Sequence, residues 1–322
     1  MPGMSSDLPP LTWSTFWSTW HLEPGWLAVL VVLAVSYLVA RGRAVATTVA
    51  PWRVASFLVG LALLWFTVSS GIGGYAMALF WMHMIMHLLL IMVIPALLVL
   101  GHPLTALVEG SRDPERARAV LRSWPFAALL SPATGVVAYT VVIVGTHLTS
   151  FMDHMAMSSW LMGGEQVVYV VAGWLFLTPL IGEEPIRSDL PYLGRLGLLV
   201  LAMVPDTLVG IVLLQSNHDP NPMYSAMRPG WALDATRDAQ TAGGLMWAGG
   251  DGGMMLIAIG LIIAVITSPR RRDRMTGDWL EGARRANMSA NTGTGEQDLD
   301  PDSDEALAAY NEMLARLHRR ES

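Results

Sequence analysis

Long apolar runs alternate with short polar joints along this chain, and the length of the runs sets the first expectation. A bilayer core needs ~20 mostly apolar residues per helix, and seven runs answer to that: 26–40, 54–70, 76–100, 126–148, 160–181, 196–215 and 243–267. The fold class expected is an all-α membrane protein, a bundle of seven transmembrane helices occupying 26–267. The first run is short, and the last carries GGDGG in its middle. Residues 1–25 lack the basic start and compact apolar core of a cleaved leader. They are rich in tryptophan instead. Trp13, Phe16, Trp17 and Trp20 are spaced to share one helical face, the pattern of a helix lying in the outer interface of the bilayer and equally that of an amphipathic leader. Residues 268–322 turn polar, pass through NMSANTGTGEQDLDPDSD, which is too poor in apolar residues to fold alone, and end in DEALAAYNEMLARLHRR. There Leu307, Tyr310, Leu314 and Leu317 recur at three- and four-residue steps, with acids first and arginines last, as an amphipathic helix prefers. Such a helix docks on the chain's own loops, on a partner or on the membrane surface.

Arginine placement predicts the orientation, since short cytoplasmic loops collect basic residues. Arg41, Arg43 and Arg53 fall in the first joint, Arg112, Arg116, Arg118 and Arg122 in the third, Arg187 and Arg195 in the fifth, and Arg270, Arg271, Arg272 and Arg274 after the last run. The opposite side holds Arg228 and Arg237. The N-terminus is therefore expected outside and the C-terminus in the cytoplasm. Composition agrees with a chain solvated by lipid: 53% hydrophobic, 14% charged, mean hydropathy +0.44. The net charge of -6 resides largely in the tail and points to solvation, not to a nucleic-acid partner. The 322 residues include no Cys, which excludes disulfides and thiolate sites and leaves Met and His for soft-metal chemistry.

With that topology each polar residue inside the runs acquires a depth. His83 and His87 lie in the outer half of the third helix, His147 at the outer end of the fourth, Asp153 and His154 in the outer loop after it, and Glu165 at the start of the fifth helix. Asp206 is in the middle or outer part of the sixth, and Asp238 and Asp251 flank the start of the seventh. Intramembrane polar groups are costly and face a bundle interior or hydrated cavity, so their convergence on one leaflet predicts a site open to the outside. His83 and His87 are four residues apart, which stacks both imidazoles on one helical face where they share a metal ion or bond across helices. Met86 lies beside that face. His, with thioether near and thiolate absent, suits Cu(I) or Cu(II). The expected ligands are His83, His87 and His147, with Met86, Asp153, His154, Glu165, Asp206 and Asp251 as supporting groups or substitute ligands. Asp251 needs a partner such as His147 or water, GGLMWAGGDGG reads as glycine for close helix packing, and His102 in GHPLT reads as a capping or interface residue.

The stretch from Phe57 to Leu104, with HMIMHLLLIMVIPALLVLGHPL at its core, resembles the bacterial cytochrome c oxidase assembly proteins called CtaG. THLTSFMD, AGWLFLTPLIGEEP, DAQTAGGLMWAGGD and YNEMLARL resemble further family stretches, in order over most of the chain. The resemblance implies a seven-helix protein of the cell membrane that helps mature a haem-copper oxidase, with oxidase subunits as partners and copper as the metal handled, and His83, His87, His147 and Asp153 match family polar positions. Many members have histidines entering the fifth helix, where Trp160, Glu165 and Gln166 stand here, and one in the sixth, where Asp206 stands. Either Glu165 and Asp206 replace imidazole, or the cargo differs. Two other readings use the same residues: a haem-binding membrane protein, in which His147 pairs with one of the other two histidines, and a scaffold that binds oxidase subunits without metal. No HExxH, G-x-S-x-G or phosphate-cradling loop appears in context, so no enzyme is expected.

Overall fold

The structure is a computed structural model that describes residues 8–187 and 190–267. The arginine cluster after the last run and the amphipathic tail lie outside the described residues. Among those described, every regular element is helical. In chain order they are α1 (Trp13–Ser18), α2 (Pro24–Arg43), α3 (Pro51–Ser69), α4 (Gly71–Tyr75), α5 (Phe80–Leu88), a π-helical turn (Leu89–Val93), α6 (Ile94–Leu100), α7 (Pro103–Glu109), α8 (Pro114–Leu121), α9 (Trp124–Leu129), α10 (Pro132–His147), α11 (Phe151–Ala156), α12 (Ser159–Ile181), α13 (Tyr192–Leu214), α14 (Pro222–Ser225) and α15 (Ala235–Ile266). The chain up to Ile259 forms one compact unit, and every site residue discussed below belongs to it.

Among the described residues, six stretches are long and apolar enough to cross a bilayer: Pro24–Arg43, Pro51–Tyr75, Phe80–Glu109, Trp160–Ile181, Tyr192–Leu214 and Ala235–Ile266. They expose large aliphatic side chains such as Val31, Val32, Val200 and Leu256 outward, a surface that hydrocarbon tolerates and water does not. The run expected at 126–148 is interrupted. Ser131 caps a new helix by accepting a hydrogen bond from the Thr134 amide, Pro132 opens that helix, and the 16-residue α10 that follows is shorter than the others. The physical reason is that proline at the first helical position fits a helix start and cannot continue the preceding turn.

GGDGG does not break the last helix, and glycines along it admit neighbours. A Cβ on Gly243 would lie 2.6 Å from the Gly210 carbonyl oxygen and the Leu214 amide nitrogen, and one on Gly250 would lie 2.9 Å from Asp206 Oδ2. α15 therefore packs backbone to backbone against α13. At the other end of the long third stretch, Gly101 and His102 end α6. His102 adopts the left-handed region at φ 52°, where it caps α7. The Glu184 carboxylate accepts from the Leu104 and Thr105 amides, at 3.1 and 2.8 Å, closing that helix start. Arg53 contacts the His102 ring and donates to the Leu100 carbonyl at 3.2 Å.

Near the other end of α3, Trp17 stacks on Trp20, which packs on Trp65 and Phe66. Of the aromatic residues expected on one helical face, Trp20 thus sits just beyond α1, which ends at Ser18.

Candidate metal centre

The site is built where α5, with its π-helical extension, lies along α12. Pro95 has no amide hydrogen, so the Ile91 carbonyl loses its α-helical donor, and the ladder around it widens into the π turn. Gly173 comes up against this loosened stretch: a Cβ there would overlap the Ile91 carbonyl oxygen and lie 2.7 Å from the carbonyl carbon and 2.8 Å from Pro95 Cγ. The close approach brings α12 residues one and two turns before Gly173 against the histidine face of α5. Tyr169 stacks on His87 with ring centroids 3.9 Å apart and planes 20° from parallel. Glu165, one further turn along, reaches both histidines.

His83 Nε2 is 3.5 Å from Glu165 Oε2, and His87 Nε2 is 3.4 Å from Glu165 Oε1. Among the described residues this trio is the one group of three or more such donors whose atoms all fall within 4.8 Å of one another. All three are buried, His83 at 0% exposure and His87 and Glu165 at 3% each. Five polar atoms of the group, His83 Nδ1 and Nε2, His87 Nε2 and both Glu165 oxygens, make no hydrogen bond. Orphaned buried polar atoms cost about 1–3 kcal/mol apiece and are rare enough to require a reason, an ion or water among them. The separations supply one. Donors about 2.0–2.2 Å from a common tetrahedral ion lie about 3.3–3.6 Å apart along the polyhedron's edges, the range of the 3.4 and 3.5 Å contacts seen here, each to its own Glu165 oxygen.

His147 sits on the other side of His87. Its Nε2 faces His87 Nδ1 at 3.3 Å, while its own Nδ1 is 2.9 Å from both the Ile143 carbonyl and Thr146 Oγ1. Thr146 Oγ1 in turn pairs with the Tyr169 hydroxyl at 2.6 Å. So the third histidine orients the ring of the second, and Glu165 takes the place in the trio that the sequence reading gave to His147. Such support behind an imidazole fixes its tautomer and ring orientation.

The remaining expected residues are dispersed. Met86 Sδ accepts from Gln166 Nε2 at 3.8 Å, and Gln166 is itself held by Trp26 Nε1 at 2.8 Å. Asp206 is buried and accepts from the Tyr139 hydroxyl at 2.6 Å, outside the trio. Asp251 Oδ2 accepts from the Thr207 hydroxyl at 2.8 Å, so the partner seen is Thr207 and not His147. His154 is exposed and bonds the Ser150 carbonyl. Asp153 accepts from the Met223 and Tyr224 amides at 3.0 and 3.2 Å. Asp238 holds the first two amides of α5, Phe80 at 2.9 Å and Trp81 at 3.0 Å, and so fixes the helix that carries the histidines. Sequence reasoning missed Tyr169 and the role of Asp238. The spacing Glu165, Tyr169, Gly173 at four-residue steps was a signal for the first; for the second no local signal exists, because the contact spans 158 residues. The opening to the outside expected from the polar residues is covered by α14, whose Tyr224 ring lies 6.1 Å from that of His83.

Comparison with known proteins adds family to geometry. The family model described as cytochrome c oxidase caa3 assembly factor (Caa3_CtaG) matches residues 32–268. An uncharacterised protein of Mycobacterium bovis and one of Mycobacterium tuberculosis are each 31% identical over 97% of this chain and 47% of their own length. An uncharacterised Mycobacterium leprae protein is 28% identical over 94% of this chain and 45% of its own. The chain thus spans about half the length of the curated relatives it matches. No solved structure matches.

Proposed function

The chain belongs to the CtaG family of cytochrome c oxidase caa3 assembly factors, and from that premise we propose that it carries copper for a haem-copper oxidase, holding the ion between His83, His87 and Glu165. What supports the reading is the trio itself: three buried donors from two helices, with unmet valence and separations near those of one coordination shell. Two imidazoles and a carboxylate suit a divalent first-row ion, and the affinity order of such ions is highest at copper. The set contains no thioether, which favours Cu(II) over Cu(I) and makes zinc the competitor to test. The carboxylate offsets part of the ion's charge inside the bundle, where an uncompensated charge is costly. The ion is cargo here, and no bond-making catalysis is assigned to the site.

In this proposal α10, preceded by α9, is the seventh crossing, the N-terminus is outside and the C-terminus cytoplasmic, and the bundle sits in the bacterial cell membrane with oxidase subunits as partners. The arginine pattern supports it. A haem reading has less support, because His83 and His87 ring centroids are 4.1 Å apart and Tyr169 covers the free face of His87, which leaves no slot for a macrocycle.

The test is metal stoichiometry and affinity of the purified protein in detergent, with Cu(II), with Cu(I) held reduced, and with Zn(II), beside the His83→Ala/His87→Ala double variant. Near-stoichiometric copper lost in the variant supports the carrier. Equal copper in both proteins, or none in either, overturns it and leaves the helix surfaces as the assembly device.

A further inference from the structure

An ion held by His83, His87 and Glu165 has no way out of the closed structure, so carriage requires an element that moves. The transmembrane helices flanking the trio are joined by extensive packing. Over His83 the cover is different: α14 is a helix of four residues, held to its surroundings by polar fastenings at a few named points. Its ring cover is Tyr224, packed on Phe80 at 5.6 Å and on His83 at 6.1 Å. Its fastenings reach four places. Asp153 Oδ1 accepts from both the Met223 and Tyr224 amides, and the Tyr224 hydroxyl donates to the Ala76 carbonyl. Asp219 Oδ1 accepts from the Asn221 amide and pairs with the Ser225 hydroxyl, each at 3.0 Å, and Arg228 lies 3.9 Å from Asp238.

The underside of this cover is incompletely satisfied. Asn221 Nδ2 and the Nε and Nη1 atoms of Arg228 are buried without a hydrogen bond. Both residues line a small cavity of about 10 Å³ beside Phe80 and Tyr224, which is room for about one water molecule. Opening the cover hydrates those groups, so part of the cost of lifting it is returned. The fastening that matters most is Asp153, since one charged oxygen holds two consecutive amides of the element that carries Tyr224, and hydrogen bonds to an ionised acceptor are the stronger kind.

We propose that α14 is the gate of the metal centre and that Asp153 is the residue that positions it, setting how fast cargo enters and leaves without itself touching the ion. The inference deepens the copper reading and rests on it for what passes through, but the gate has a readout that needs no metal.

The experiment compares the full chain with Asp153→Ala, Asp153→Asn and Tyr224→Phe. Metal-free protein in detergent is treated with diethylpyrocarbonate, and carbethoxylation of His83 and His87 is followed by mass spectrometry relative to His21. Asp153→Ala is expected to accelerate labelling of His83 roughly a hundredfold or more, as loss of two charge-assisted bonds implies. Asp153→Asn, which retains an acceptor, falls between it and the parent. Tyr224→Phe keeps the ring and removes one fastening, so it accelerates labelling less and serves if Asp153→Ala fails to fold. Copper exchange is then measured on the same proteins: uptake and release rates should rise together, leaving the affinity within about twofold. Unchanged His83 labelling in the variants, or parent labelling as fast as that of His21, overturns the gate whatever the copper result. Faster release with unchanged uptake also overturns it, by making Asp153 part of the ion's own surroundings. Faster labelling in a protein that binds no copper leaves the gate standing and sinks the copper reading alone.

Discussion

Gly173→Ala tests whether the meeting of α12 with the π turn is what assembles the centre. The added methyl overlaps the Ile91 carbonyl oxygen and comes within 2.7 Å of the Ile91 carbonyl carbon and 2.8 Å of Pro95 Cγ, where ordinary contacts begin at 3.4 Å. Two of these obstacles are backbone and the third is a proline ring, so no rotamer change relieves the clash and the helices themselves must part. Overpacking of this kind costs about 1–3 kcal/mol, and an immovable partner puts the figure near the upper end. At the ~2–4 °C per kcal/mol found for domains of 150–250 residues, the melting temperature falls by roughly 6–12 °C. The trio feels it too, because Glu165 lies two turns from Gly173 on the same helix and already stands 3.4 and 3.5 Å from its partners. The assay is thermal unfolding in detergent together with metal affinity, with Gly163→Ala as control: nothing lies within 4 Å of a Cβ there, so alanine should be neutral or stabilise by up to ~1 kcal/mol. A Gly173→Ala protein as stable as the Gly163→Ala control, with its metal affinity intact, would refute the reasoning.

Other outcomes follow from the same contacts. A metal ion at a hundredfold excess over its dissociation constant should stabilise the parent by ~2.7 kcal/mol; Glu165→Gln should lose most of that gain and Asp206→Asn keep it, as read from melting curves with and without ion. Tyr139→Phe strips the buried Asp206 of the hydroxyl that donates to it at 2.6 Å and should destabilise by ~1–3 kcal/mol, a loss that denaturant titration would reveal. Asp238→Ala removes the acceptor for the first two amides of α5 and should cost ~0.5–2 kcal/mol, with weaker metal binding as its second readout.

How much of this was legible along the chain depends on whether the information is local. The pairing of His83 with His87 and the long apolar runs follow from the helical period, which is fixed by backbone geometry, and both reappear in the structure. Glycine as the means of close packing in GGLMWAGGDGG was legible for the same reason. The start of α10 was local as well, in Ser131 and Pro132, but the apolar residues on either side of the break conceal it. The choice between His147 and Glu165 was not legible, because it depends on how neighbouring helices are rotated about their axes. That rotation is set by Gly173 meeting Ile91, a contact between residues 82 positions apart in sequence, for which periodicity carries no sign. Asp251 illustrates the same point: an intramembrane carboxylate announces that it needs a partner, but which hydroxyl or imidazole answers is decided by packing alone.

The π turn at Leu89–Val93 works as a phase shifter. In an uninterrupted α-helix, eight residues set His87 and Pro95 roughly 80° apart around the axis, at opposite margins of one face. Here both contact α12, through Tyr169 and Gly173. The wider turn absorbs the excess rotation, and the histidines and the proline come into line. Deleting any single residue from 89–93 would therefore be felt as an angular error of about 100°, turning either the imidazoles or the proline toward lipid while leaving hydropathy and composition almost untouched. Length in that one turn, more than the identity of its apolar side chains, is the quantity the chain has to keep constant.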